Sequence, residues 1–153
     1  MSDALAVHRH GAGGFELPLP VGWEWRENVK GCALLAIEPE RDDGHIRANV
    51  VVTVERLPDR ESVEEWSGRS LAALAETLRR HRLLDLEDLA VGRRPARRAL
   101  SHYVDRVHGG VCLEQWLVPA ADLGVVVSCT TAALEYDDLF ELMHAVADGL
   151  RVR

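Results

Sequence analysis

A chain of 153 residues with 47% hydrophobic and 28% charged residues has the size and balance of one globular domain. Its net charge of −7, from 18 basic and 25 acidic residues, disfavours general binding to nucleic acids or anionic membranes, because both attract cationic proteins. The three cysteines, Cys32, Cys112 and Cys129, form no C-x-x-C pair, so neither a disulfide scaffold nor a structural zinc site is expected. We therefore predict a cytoplasmic protein with reduced thiols, no metal and no cofactor.

Residues 1–14 predict a flexible tail, because glycines interrupt them and they lack apolar periodicity. They show no basic segment followed by an apolar one, so no secretion signal is predicted. No apolar run in the chain reaches the length of a membrane span. His8 and His10 have no acidic or thiolate companion, so we expect no metal site in the tail. The folded domain is predicted to occupy residues 15–153.

Two tryptophans follow the first predicted strand of this domain. That strand begins at Phe15 and is stopped by the rigid prolines Pro18 and Pro20, after which the chain reaches Trp23 and Trp25. Alternate residues of a strand point to one face, so the two indole rings are expected to lie side by side. They form either an aromatic platform for a peptide or small ligand or a plug at the end of the core.

Two further strands and a helix are predicted in the middle of the chain. Residues 33–38 form a short apolar run, and the valine-rich segment 48–54 indicates a central strand covered on both faces. Ser62 and Glu65 form a capping box, in which each residue satisfies a free N–H at a helix start. The leucines that follow have helical spacing and predict a helix over residues 63–80.

The second half of the chain predicts a strand meander and a terminal helix. The strands are expected over residues 86–91, 96–107, 111–118 and 124–131. Gly109 and Gly110 predict a tight hairpin turn. Apolar residues from Tyr136 to Leu150 have the spacing of one face of a helix, and an acidic pair lies in its first turn. Gly149 is expected to cap this helix in a left-handed conformation.

These elements predict one domain of the α/β class (α+β type), with an antiparallel β-sheet flanked by helices. Strands joined by short turns pair antiparallel, and each amphipathic helix must bury its apolar face against the sheet. Because strand 48–54 is apolar on both faces, we expect the two helices to cover opposite faces of the sheet.

Three segments give the chain a resemblance to known families. They are Phe-x-Leu-Pro-x-Pro-x-Gly-Trp at 15–23, Ala-Asn-Val-Val-Val-Thr-Val at 48–54, and Leu-Glu-Gln-Trp at 113–116, which is followed by Gly-Val-Val-Val-Ser-Cys-Thr and the terminal helix. Over residues 15–153 the sequence resembles the bacterial DcrB-like and LpqN-like families, whose fold is similar to that of PsbP and the Ran-binding protein Mog. The resemblance implies an antiparallel sheet between helices and no catalytic motif. Some DcrB-like relatives act as chaperones or adaptors for secreted effectors, and LpqN-like relatives often carry a lipoprotein signal, which we do not find here.

Four arginines surround a proline in an otherwise acidic chain: Arg93, Arg94, Arg97 and Arg98. Arginine binds carboxylates and phosphates through two parallel hydrogen bonds, so this group suits a carboxylate-rich or phosphorylated partner. The alternative is a solvated turn and strand start. In that case the arginines pair with the acidic residues of the preceding strand, Asp85, Glu87 and Asp88.

A pair of cysteines and one histidine in the second half of the chain each have a possible chemical role. If the last hairpin pairs Leu117 with Gly124, Cys112 and Cys129 face each other across two strands as a redox pair. A slip of one residue removes this pairing and leaves two core thiols. His144 lies on the terminal helix. It is either a residue at the boundary of the apolar face of that helix or a base.

No Gly-x-Ser-x-Gly, phosphate-binding loop, His-Glu-x-x-His or strand-anchored Gly-x-Gly-x-x-Gly pattern occurs in the sequence. We therefore expect a protein that is not an enzyme but a binding module, an adaptor or chaperone for another protein, for example in secretion. The alternative is a small-molecule or lipid-binding protein with a pocket between sheet and helix near Trp23, Trp25 and Tyr103. A homodimer through a sheet edge or a helix face is also open.

Overall fold

The computed structural model describes residues 4–153, which form two antiparallel sheets and two helices. The strands are β1 (Leu5–His10), β2 (Phe15–Pro20), β3 (Glu24–Val29), β4 (Cys32–Ile37), β5 (Asn49–Arg56), β6 (Arg82–Val91), β7 (Arg94–Asp105), β8 (Gly109–Ala120), β9 (Leu123–Ala132) and β10 (Arg151–Val152). The helices are α1 (Val63–Thr77) and α2 (Tyr136–Asp148). A seven-stranded sheet has the order β3-β4-β5-β9-β8-β7-β6, and a three-stranded sheet has the order β1-β2-β10. This arrangement confirms the predicted α+β class with helices flanking an antiparallel sheet.

The two helices lie on opposite faces of the seven-stranded sheet, as predicted from the valines of β5. Val50 and Val52 are fully buried on one face, where α2 and the three-stranded sheet cover them. On the other face Trp66 of α1 packs against Leu117 and Val126 of β8 and β9. Because successive strand residues point to opposite sides, β8 and β9 contribute apolar side chains to both layers, whereas the α1 side of β5, at Val51 and Thr53, is only half-buried. None of the helices in residues 4–153 is long and apolar enough to cross a membrane.

The helix ends follow the predicted caps in part. The Ser62 hydroxyl accepts a hydrogen bond from the Glu65 N–H at 3.0 Å, so α1 begins where its capping box predicts. The helix ends at Thr77 rather than at residue 80, because Leu78 adopts an extended conformation. The predicted left-handed cap at Gly149 is wrong, since its φ is −82° and its N–H continues the helical bonding.

The predicted flexible tail at residues 1–14 is wrong over the part that the structure describes. β1 pairs with β2 from Leu5 opposite Pro20 to His10 opposite Phe15. The glycines that suggested flexibility form the hairpin turn, where the Gly13 N–H donates to Nδ1 of the buried His10 at 2.7 Å. The His10 ring stacks on Phe15 with a centroid distance of 4.8 Å. Residues 1–3 of the predicted tail lie outside the described residues.

The last hairpin excludes the predicted redox pair. Pro119 rather than Leu117 lies opposite Gly124, which places Cys112 opposite Thr131. The register therefore differs by two residues from the one that would join the cysteines, and Cys129 is a diagonal neighbour of Cys112. Both thiols are free and buried, and burial raises the pKa of both, so they are core side chains rather than reactive nucleophiles.

Candidate functional site

Strand alternation divides the predicted cluster of four arginines. Arg97 and Arg98 are neighbours in β7, so their side chains point to opposite faces of the sheet. Arg97 donates to Asp88 Oδ1 at 2.9 Å and to Ser67 Oγ of α1 at 3.0 Å. The ion pair with Asp88 is one that the alternative interpretation of the cluster predicted, whereas the contact with α1 through Ser67 is not.

Arg98 is held in a buried ion-pair network on the other face. Its guanidinium donates to Glu114 Oε2 and to Glu87 Oε1, each at 2.6 Å, and also contacts Asp85. Arg98 is only 8% exposed and Glu114 only 2%. Burial lowers the pKa of Arg98, but the hydrogen bond to Glu87 and the charge of Glu114 outweigh it and hold the pKa above its usual range. Arg98 is therefore engaged within this network, and its burial keeps it from contacting a partner.

Two residues of α2 complete this network and tie the helix to β8. The Tyr136 hydroxyl lies 3.1 Å from Glu114 Oε2, and His144 Nε2 lies 3.0 Å from the same oxygen. Burial and the Glu114 carboxylate raise the pKa of Tyr136. The His144 ring stacks against Phe140 with a centroid distance of 3.9 Å. The small cavity beside Glu114 leaves no room for a water molecule, so this cluster fastens α2 to the sheet and is not an open site.

Arg93 and Arg94 have a different environment from the other two arginines of the cluster. Arg93 lies with Gly92 in the two-residue hairpin turn between β6 and β7, and Arg94, which pairs with Val91, begins β7. Gly92 takes the first turn position with a φ of 61°, a left-handed conformation that glycine adopts without strain. The turn exposes Arg93 to solvent and directs Arg94 to β10, where its Nη2 donates to the Val152 carbonyl at 3.2 Å.

A groove of about 440 Å³ separates this turn from β10. Its floor consists of apolar side chains, of which Val91, Val118 and Leu150 are buried. Arg151 lies on the β10 side, and its guanidinium donates to the Leu150 carbonyl at 2.6 Å. A Cβ added at Gly92 would lie 3.2 Å from Arg151 Nη1, so the glycine lets the two walls of the groove approach each other closely. We call this feature the basic groove; it is lined by residues 91–94, Val118 and residues 150–152.

The basic groove has three guanidinium groups and no carboxylate. Within residues 4–153, the hydrogen bonds of Arg94 and Arg151 go to backbone carbonyls, and no acidic side chain lines the groove around Arg93. A guanidinium has five N–H donors, so each of these groups keeps donors for a further acceptor. The geometry suits a ligand that presents an anionic group beside an apolar one.

The predicted pairing of Trp23 with Trp25 does not occur, because β3 begins at Glu24 and Trp23 lies in the preceding turn. Trp23 packs against the main core, whereas Trp25 is 52% exposed and contacts His8 of β1 in a tilted arrangement with a centroid distance of 4.4 Å. His8 Nε2 is 2.7 Å from Glu27 Oε1. In residues 4–153 no group of three or more metal-ligating side chains comes together.

The predicted aromatic pocket is not formed by its three residues together. Trp23 lines an open groove of about 400 Å³ against Leu139 and Leu142 of α2. Trp25 lies outside this groove, and Tyr103 lies on β7, on the face of the sheet that α1 covers. Tyr103 is half-buried, and its burial, with the nearby charge of Asp105, raises its pKa.

No protein-family model matches the chain, and no curated protein matches its sequence. Solved structures do match it over almost its whole length. Cyanobacterial PsbP (CyanoP) from Synechocystis sp. PCC 6803 is 15% identical with a TM-score of 0.74, and the match covers 100% of this chain and 95% of that one. The Ran-binding protein Mog1p of Saccharomyces cerevisiae is 14% identical with a TM-score of 0.72, over 99% and 96% of the two chains. LpqN of Mycobacterium tuberculosis, involved in cell envelope biogenesis, is 12% identical with a TM-score of 0.69, over 97% and 90%. The chain has a PsbP/Mog-like fold.

Sequence reasoning identified two of the three arginines of the basic groove in this PsbP/Mog-like domain. Arg93 and Arg94 stood out as part of a basic cluster beside a turn. Arg151 gave no local signal, because it reaches the groove only through the pairing of β10 with β2, which places it opposite Glu16. The apolar floor is equally non-local, since Val118 and Leu150 come from a strand and from the segment after α2.

Proposed function

We propose that this PsbP/Mog-like domain is a non-catalytic module that binds an acidic segment of another protein in the basic groove. One observation carries the proposal: Arg93, Arg94 and Arg151 surround an apolar floor, and no carboxylate side chain lines the groove with them. Arginine is enriched among the residues that dominate the binding energy of protein interfaces, and the buried core of an interface is apolar.

The charge of the whole molecule supports an acidic partner. The chain has a net charge of −7, so most of its surface repels an acidic segment. The basic groove is a local exception, and this contrast would orient an acidic partner as it approaches. Carboxylates bound there would form charge-assisted hydrogen bonds with guanidinium groups, which are stronger than bonds between neutral groups.

A role as an adaptor or chaperone follows from this proposal. Mog1p, a protein of the same fold, is named for binding Ran, which is itself a protein, and this supports a protein partner for the present chain. We place the module in the cytoplasm, where Cys32 would remain reduced. A role in secretion belongs to the same proposal and would be decided by the identity of the partner.

The test compares partner capture by a groove variant and by a matched control. The variant Arg93→Glu/Arg151→Glu reverses two charges of the basic groove. The single variant Arg93→Glu is measured beside it. Arg106→Glu is the matched control for that single change, because it reverses one charge at an exposed position in the β7–β8 turn, at the other end of β7. Tagged proteins are incubated with lysate of the source cell under mild cross-linking, and captured proteins are quantified by mass spectrometry.

We expect the same partner to be captured by the unmodified protein and by Arg106→Glu, and to be reduced about tenfold or more by the groove variant. Capture should also weaken as salt is raised, because the contacts are ionic. The proposal is rejected if the groove variant, shown to be folded by circular dichroism, captures the same proteins at the same level.

A second candidate function is supported by the groove at Trp23. Apolar side chains of the β2–β3 turn and of α2, together with Glu38, line about 400 Å³, a volume that suits a small amphipathic molecule with an apolar segment. Native mass spectrometry of the purified protein should then show a bound molecule, and Leu142→Glu should release it. A protein that carries no ligand and whose Trp23 fluorescence does not respond to fatty acids would exclude this candidate.

Self-association through the free edge of β6 remains a separate prediction, and the charges of that edge argue against it. Asp85, Glu87 and Asp88 lie close together on β6, the outermost strand of the seven-stranded sheet. Antiparallel pairing of two such edges would place acidic side chains of the two copies near one another. We therefore propose a monomer, which light scattering at micromolar concentration would check.

A further inference from the structure

The free edge of β10 forms one wall of the basic groove. β10 is the outermost strand of the three-stranded sheet and pairs only with β2 in the described structure. The Arg153 N–H donates to the Gly14 carbonyl at 2.7 Å, towards β2. Backbone polar groups of successive strand residues point to alternate sides, so the N–H and C=O of Val152 point away from β2. The hydrogen bond from Arg94 to the Val152 carbonyl agrees with this orientation.

We propose that the basic groove binds its acidic segment as an extended strand alongside β10, with apolar and acidic side chains in alternation. This inference rests on the proposed function, which assigns an acidic segment to the groove, and it adds the conformation and sequence pattern of that segment. The Val152 N–H and C=O would pair with the backbone of the added strand. A carbonyl oxygen has two lone pairs, so the bond from Arg94 can remain.

The alternating pattern follows from the two kinds of surface that the groove presents. Side chains of an extended strand point alternately to its two sides. One row would pack on the apolar floor at the half-buried Val152, beneath which Val91, Val118 and Leu150 are already buried. The other row would point outwards, where Arg93 and Arg151 can bind carboxylates. The β10 side of the groove spans residues 150–152, so the strand would engage about three or four residues, at roughly 3.3 Å per residue.

The strand is distinguished from other anionic ligands by its backbone. A phosphorylated side chain or a free dicarboxylate would use the arginines but would need neither the Val152 edge nor an alternating sequence. An added strand therefore differs from simple charge attraction in two ways: its binding depends on the order of its residues and on its backbone N–H groups.

The test uses two fluorescein-labelled peptides of identical composition, binding to the full chain measured by fluorescence anisotropy. One is fluoresceinyl-Val-Glu-Val-Glu-Val-Glu-amide, and the other is fluoresceinyl-Val-Val-Val-Glu-Glu-Glu-amide, with the dye on the N-terminal nitrogen of each. We expect the alternating peptide to bind about tenfold more tightly. Methylation of the peptide's backbone nitrogen that faces the Val152 carbonyl should weaken binding about threefold to tenfold, because one backbone hydrogen bond is lost. Methylation of a backbone nitrogen that points away from β10 should weaken binding less. Arg93→Glu/Arg151→Glu should abolish binding of both peptides, and Arg106→Glu should not.

Hydrogen exchange of the Val152 amide provides an independent measurement. The alternating peptide should slow its exchange about tenfold at saturation, since the amide becomes paired. Equal affinity for the two peptides, with both lost in the groove variant, would overturn the added strand and leave the acidic-segment function standing. Failure of both peptides to bind, while partner capture still depends on the groove, would overturn the strand in the same way. Binding of both peptides unchanged by the groove variant would overturn both proposals.

Discussion

Replacing Arg98 by methionine should destabilise the domain far more than the same change at its neighbour Arg97. The substitution keeps most of the aliphatic side chain and removes the guanidinium that pairs with Glu114. Glu114 is 2% exposed, so the carboxylate left behind is a buried charge with only Tyr136 and His144 as polar contacts. The structure therefore predicts a loss dominated by an uncompensated charge rather than by lost packing.

The magnitude follows from the burial of each ion pair. Removal of one partner from a buried pair costs about 3–5 kcal/mol. The Asp85 and Glu87 side chains are each 51% exposed, and pairs of this kind contribute about 0–1 kcal/mol. Arg97 pairs with the Asp88 side chain, which is 67% exposed, and donates one hydrogen bond to the buried Ser67 Oγ. Arg97→Met should therefore cost about 1–2 kcal/mol, less than the loss expected at Arg98.

The assay is urea unfolding at pH 7, followed by far-ultraviolet circular dichroism and analysed by linear extrapolation. A second substitution, Glu114→Leu in the Arg98→Met background, removes the orphaned charge and should recover much of the lost stability. Equal losses for Arg98→Met and Arg97→Met would refute the reasoning, because Glu114 would then not depend on Arg98. The same conclusion would follow if the double variant were no more stable than Arg98→Met alone.

Two glycine substitutions and one titration test other parts of the structure. Gly124→Ala should lower the free energy of unfolding by roughly 1–3 kcal/mol, because the new Cβ would lie 2.4 Å from the Trp66 ring, whereas Gly68→Ala on the open surface of α1 should raise it by roughly 0.5–1 kcal/mol. Thermal unfolding measures both, and equal melting temperatures for the two variants would contradict the packing at Trp66. Hydrogen bonds from Arg41 lower the pKa of Asp43 from 3.8 to about 2, so the stabilisation by this pair is complete above pH 3.8 and is lost as the pH falls towards 2. A carbon-13 titration of the Asp43 carboxyl gives this midpoint directly, and a value near 3.8 would show that the pair does not form in solution.

Most elements could be predicted because their patterns are local. The valines of β5, the capping box at Ser62 and the apolar stripe of α2 each depend on residues within a few positions of one another. β1 was missed because Leu5 and His10 lie in a short, polar segment whose strand conformation depends on pairing with β2. Its glycines indicate flexibility in isolation, but they form a tight turn once the hairpin closes.

The candidate site shows the same division between local and non-local information. The cluster of arginines predicted a basic surface, and strand periodicity alone separates Arg97 from Arg98 once β7 is assigned. Trp23 and Trp25 do not share a face because β3 begins only after Trp23. Trp23 and Tyr103 do not meet because β3 and β7 lie near opposite ends of the sheet order. Arg151 could not be assigned to the groove without knowing that β10 joins the sheet of β2.

The pairing of β10 with β2 also has a consequence for folding kinetics. It joins residues 15–16 to residues 151–152, so this contact must close a loop that includes nearly the whole described chain. Such non-local contacts slow folding, and the cost in chain entropy is repaid only when the intervening layers are already packed. The wall of the basic groove is thus expected to assemble late, after α2 has docked. A chain that has formed its hairpins but not this last pairing would be compact and still unable to bind.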